Sequence, residues 1–109
     1  MIGISNGLKI FLCAQPADMR RSFDGLSGMV TTIIEKDPLC GHLFVFRNRN
    51  RYRLKILYWD RSGFFLLYKR LEEGTFWMPK RAEIECRELL MVLEGFHESE
   101  VRERRRYRR

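Results

Sequence analysis

The sequence is poor in anything that would cross-link the chain or address it elsewhere. Its three cysteines, Cys13, Cys40 and Cys86, are an odd number with no CxxC pair. That excludes a disulfide framework and a zinc ribbon and points to a reduced compartment. No apolar run approaches the roughly 20 residues that cross a bilayer. The opening MIGISNGLKIFLC has neither a basic flank nor a small-residue cleavage site, so a cytoplasmic location away from membranes is expected. Gly25 and Gly28 sit outside any GxxxxGK[ST] or GxGxxG pattern, which excludes the common phosphate loops. There is no internal repeat, low-complexity block or long linker. A chain of 109 residues without these features reads as a single compact domain over residues 1–97 with a tail at 98–109.

What the sequence has in excess is arginine, unevenly placed. Residues 47–55 hold five bases and no acid, and residues 102–109 hold six arginines against Glu103. Each block therefore carries +5, which leaves −3 for the rest of a chain whose formal net charge is +7. Clustered Lys and Arg on a mildly acidic body suit a polyanion, because neutralising phosphates releases condensed counterions. Solvated arginines that only keep a small domain soluble are the plain alternative, above all for a terminal run.

The fold is organised around Gly41–Leu71. Leu43–Arg47, Arg53–Trp59 and Phe64–Lys69 are dense in aromatic and β-branched residues and predict three consecutive antiparallel strands. Asp60-Arg61-Ser62-Gly63 supplies a hairpin turn, with Gly63 the natural site for positive φ. Arg47, Arg49, Arg51, Arg53 and Lys55 fall at every second position. An extended backbone would align them on one face, and a turn within the run would gather the arginines at a hairpin tip. Leu8–Cys13 predicts a further strand, and Thr75–Met78 a short edge strand closed by Pro79.

Two helices are predicted. Met19, Phe23, Leu26, Val30 and Ile33 form one apolar stripe within about 18–35, with Asp18 as N-cap or Ser22 if the helix starts later. Gly25 and Gly28 would give it a flat patch for close approach to the sheet. Ala82, Cys86, Leu89, Leu90, Leu93 and Phe96 form a second stripe over about 82–94, with Gly95 at the C-cap. The fold class is therefore α+β: an antiparallel sheet of four to five strands, a meander at 43–70, two helices and a basic tail. Phe64–Tyr68 is apolar on both faces, so one face needs a cover: the second helix, another copy of the protein or a partner.

Catalytic chemistry has little footing. Asp18 reads as a cap, Asp37 as the helix stop before Pro38, and Asp60 as a turn residue. Asp24 alone has no local duty, and one carboxylate does not hold the metal pair of phosphoryl transfer. His42 beside Cys40, and His97 after the second helix, need no nucleophile or zinc explanation. No catalytic residue, metal or cofactor is expected. The expected nucleic-acid contacts are Arg47, Arg49, Arg51, Tyr52, Arg53 and Lys55, with Arg104, Arg105 and Arg106 of the tail. Tyr52 is the stacking candidate, since unpaired strands are commonly held by basic grooves with aromatic platforms.

Four blocks give the chain a relative. Pro16-Ala17-Asp18-Met19-Arg20-Arg21-Ser22-Phe23-Asp24-Gly25-Leu26, Gly41-His42-Leu43-Phe44-Val45-Phe46-Arg47-Asn48, Leu54-Lys55-Ile56-Leu57-Tyr58-Trp59-Asp60 and Gly63-Phe64 through Tyr68-Lys69-Arg70-Leu71 occur in the order found in one family. With them the chain resembles the small accessory proteins encoded by the second open reading frame of the IS-66 group of bacterial insertion sequences, often called TnpB. The resemblance implies a role in transposition beside a separate, larger transposase and other element-encoded proteins as partners; the clustered bases add DNA as a partner, and the uncovered sheet face a second copy. It implies no active-site residues. Near the first hairpin turn, Asn50 and Arg51 replace the glycine or acidic residue common in the family. Two other classes compete with a DNA-binding accessory: a module that docks the transposase without touching DNA, and a cryptic nuclease built on Asp24.

Overall fold

The structure is a computed structural model that describes residues 7–96. Within them the chain runs β1 (Ile10–Leu12), α1 (Phe23–Met29), a π-helical turn (Val30–Ile34), β2 (Leu43–Arg47), β3 (Arg53–Asp60), β4 (Gly63–Arg70), β5 (Glu83–Ile84) and α2 (Cys86–Glu94). The architecture is α+β, as the apolar patterning indicates.

Alternation of apolar side chains sets the meander. Val45 faces Ile56 and Phe46 faces Lys55 across β2–β3, while Ile56 faces Leu67 and Asp60 faces Gly63 across β3–β4. The second hairpin closes through a two-residue loop in which Arg61, not Gly63, takes the left-handed conformation at φ 53°. The sheet is not wholly antiparallel. Its order is β4-β3-β2-β1-β5, and β1 runs parallel to β2, with Ile10 opposite Leu43. The cause is the α1 segment between them, which returns the chain to the end of the sheet from which β1 started, so β2 must run the same way.

The helices are shorter than their stripes. At 18–22 the chain turns instead of coiling, because Asp18 Oδ1 accepts the Arg20 N–H and the Arg21 N–H donates to the Asp18 carbonyl. Ser22 holds the N-cap position of α1 without a side-chain hydrogen bond, and Glu35 ends the π-helical turn at φ 60°. Gly25 and Gly28 do not serve close packing on the sheet: a Cβ at Gly25 would meet the Arg21 side chain, and one at Gly28 would meet open space. At the other end Glu83–Ile84 forms the edge strand β5, where a helical start was expected, and α2 begins only after Glu85, which makes a capping box with Glu88. Thr75–Met78 contributes only a bridge from Thr75 to Phe96.

Strand alternation places α1 and α2 on opposite faces. Leu26, Met29 and Val30 pack with Phe11, Phe44, Phe46 and Leu57 on one side. Leu89 and Val92 pack with Ile10, Leu12, Val45, Ile56 and Phe76 on the other. Each fully buried Phe or Leu contributes about 1.5–3 kcal/mol. In the second stripe Leu90 is 61% exposed, because Val92 and not Leu90 turns inward. β4 is the outer strand. Phe64 and Leu66 are half-buried beside the α1 layer, but Phe65 and Leu67 on the α2 face remain 41% and 46% exposed.

Candidate nucleic-acid interface

The β2–β3 connection turns within the arginine run, so the bases gather at a hairpin tip. Asn48 builds the loop: its Oδ1 accepts the Tyr52 and Arg53 N–H groups, both at 3.0 Å, and its carbonyl accepts the Arg51 N–H at 3.1 Å. Arg51 takes φ 66°, a left-handed conformation that costs a non-glycine residue about 1–2 kcal/mol. The Phe76 N–H donates to the Arg51 carbonyl at 2.6 Å and helps to hold it there.

The tip divides the five bases. Arg47 lies on the α2 face, where its guanidinium donates to the Phe76 carbonyl at 2.8 Å; burial first, then Arg51, lowers its pKa. Lys55 lies on the α1 face and is only 5% exposed, with its ammonium donating to the Met19 and Arg21 carbonyls, each at 2.8 Å. Burial, then Arg53, pushes its pKa down, with Asp18 opposing. Both side chains thus have internal structural partners. Arg49 and Arg51 are exposed and Arg53 is half-exposed. The Arg53 guanidinium lies 5.2 Å from the centroid of the Tyr52 ring and donates to Tyr68 Oη at 3.2 Å, while its buried Nε has no partner.

Between this hairpin and the α1 layer lies an open groove of about 800 Å³. Arg49, Tyr52 and Arg53 form its hairpin side, and Arg21 stands on the helix side. Arg21 is absent from the residues singled out in the sequence; its only signal there is the Arg20-Arg21 pair before a helix. Lys55 holds it in place by binding the Arg21 carbonyl. Met19 and Ile33 supply an apolar lining, a role that a helical stripe read as core does not reveal, and the buried Met29 from outside that stripe backs it. Asp18 also lines the groove, but its carboxylate is paired with Arg20, whose side chain and then backbone N–H hold the pKa at about 2. A second, smaller recess of about 230 Å³ places Arg47, Arg49 and Arg51 beside Cys13 and Pro16.

The remaining candidates separate cleanly. Asp37 Oδ1 accepts the Leu39 N–H, Asp60 lies in the β3–β4 turn, and Asp24 stands exposed in the first turn of α1. Among the described residues no three of His, Cys, Asp and Glu gather as a metal site. There, too, no helix is long and apolar enough to cross a membrane. His42 Nδ1 accepts the Lys9 N–H at 3.0 Å. His97, Arg104, Arg105, Arg106 and the tail lie outside the described residues.

Comparison with known proteins agrees with the sequence blocks. The family described as IS66 Orf2 like protein matches residues 8–103. The uncharacterized protein y4jC of Sinorhizobium fredii (strain NBRC 101917 / NGR234) is 47% identical over 79 residues, covering 72% of this chain and 68% of that protein. The uncharacterized protein y4hO of the same strain is 34% identical over 79 residues, covering 72% and 69%. No solved structure matches the chain.

Proposed function

Because the chain belongs to the family of IS66 Orf2-like proteins, we propose that it is a non-catalytic accessory protein of insertion-sequence transposition that binds DNA phosphates at the β2–β3 hairpin. Strand breakage and joining belong to a separate transposase. The observation that carries this reading is the grouping of Arg49, Arg51 and Arg53 at one tip, with Arg21 across the groove. Arg47 and Lys55 support the tip from below instead of contacting DNA, and Arg104, Arg105 and Arg106 add a second basic contact.

The test is DNA affinity across a salt series. Replacing Arg49, Arg51 and Arg53 by Ala removes three phosphate contacts. The slope of log K against log salt should fall by about 2.7 on duplex or about 2.1 on single strands. An unchanged slope refutes the assignment.

The exposed face of β4 favours a second reading, in which the chain docks the transposase and does not touch DNA. Phe65 and Leu67 present apolar surface there, and the strand edge has backbone groups that a partner strand can take up. A transposase complex that survives complete nuclease digestion supports this reading, and one that dissolves supports the first.

A further inference from the structure

The groove is more than a cationic surface. Met19, Met29 and Ile33 give it apolar lining, and its hairpin wall carries the half-exposed Tyr52 ring with the Arg53 guanidinium 5.2 Å from the ring centroid. Phosphates gain nothing from apolar side chains or a ring face. Nucleobases gain from both, since every base has a π-face that stacks on aromatic side chains regardless of sequence. Size agrees: about 800 Å³ lies within the range of sites that enclose small organic molecules. Charge is placed to match, because Arg21 stands on one wall and Arg49 on the other, where a backbone passing along the rim meets both.

Resting on the DNA-binding reading above, we infer that this groove takes unpaired DNA, with a base stacked on Tyr52 against the half-buried Met19 and Ile33 and the flanking phosphates on Arg21 and Arg49. The accessory role then falls at a stage when strands of the element are open. Binding to a duplex engages the hairpin arginines alone and leaves the groove empty.

Fluorescence anisotropy with the full chain and three probes of equal length tests this: an oligothymidine strand, the same strand lacking its bases, and a duplex. The oligothymidine should bind at least about tenfold more tightly than the abasic strand, the loss that removing base–aromatic stacking produces, and more tightly than the duplex. Tyr52→Leu should erase the margin over the abasic strand, and Tyr52→Phe should keep it. The probe comparison needs only the native protein, so it stands even if the leucine variant misfolds. Equal affinity for the abasic strand, or duplex binding as tight as single-strand binding, overturns the inference. Arginine-dependent duplex binding without a single-strand margin leaves the DNA-binding reading intact while removing this one. Failure of all three probes to bind removes both.

Discussion

Lys55→Met is the sharpest perturbation available, because it removes a charge and two hydrogen bonds while nearly preserving side-chain volume. The ammonium donates to the Met19 and Arg21 carbonyls at 2.8 Å each and lies 4.7 Å from the centroid of the Tyr68 ring. Methionine leaves both carbonyls without this donor, at about 1–3 kcal/mol each. Two effects reduce the total: water reaches the exposed Arg21 segment, and an ammonium no longer has to be desolvated. The expected net loss is about 2 kcal/mol, seen in urea as a midpoint lower by about 1 M at unchanged m. DNA affinity should fall too, since the 18–22 turn that carries Arg21 is no longer tethered. The pH dependence has a definite sign. Burial holds the Lys55 pKa below its ordinary value, so the unfolded chain binds that proton more tightly. Wild-type stability therefore rises with pH from the folded pKa towards the unfolded value near 10.4, and the variant lacks this rise. A variant as stable as wild type, with the same alkaline profile, would refute the claim that this ammonium organises the groove.

Three further outcomes follow from the same geometry. Asn48→Ala removes the acceptor for two loop N–H groups and should cost about 1 kcal/mol in denaturant titration; Asn48→Asp, which keeps the oxygen, should cost less. Gly95 sits at φ 78°, ψ 178°, and a Cβ there would come 2.7 Å from Leu71 Cδ1. Gly95→Ala should accordingly destabilise by about 1–3 kcal/mol, read as a lower Tm with α2 loosened in hydrogen exchange. The Asp18–Arg20 pair gives stability that is present above the usual carboxylate pKa near 3.9 and is lost as pH falls through about 2. Asp18→Asn should flatten the acid side of the stability profile between those values.

The meander was legible because each of its strands carries its own signal: apolar alternation between polar breaks, with registers that follow once the turns are placed. Neighbours distant in sequence were not. Nothing local in Leu8–Cys13 says that β1 inserts between β2 and β5, and an apolar stripe beginning at Ala82 looks helical until Ile84 is seen to pair with Ile10. Asp18 suits a helix cap by type, whereas pairing with Arg20 keeps it in a turn. In the site, alternate spacing identified the basic run but could not separate surface from support. Arg47 and Lys55 differ from Arg49 only in which carbonyls the fold brings to them. Met29 and Ile33 reach the groove through the packing of the α1 layer on the sheet, and Arg21 through the Lys55 tether, which no pattern within one segment encodes.

The placement of β1 also dictates an order of assembly. Ile10 takes its partners from Leu43 on one side and Ile84 on the other, while β2 with β3 and β3 with β4 pair as immediate neighbours in the chain. Closing long loops is entropically slower than closing short ones, so the hairpins form early and β1 is the last of these strands to be enclosed. Until Ile84 has been translated, β1 keeps an open side, and nascent chains stalled before it expose the β1 backbone groups that β5 covers in the finished fold.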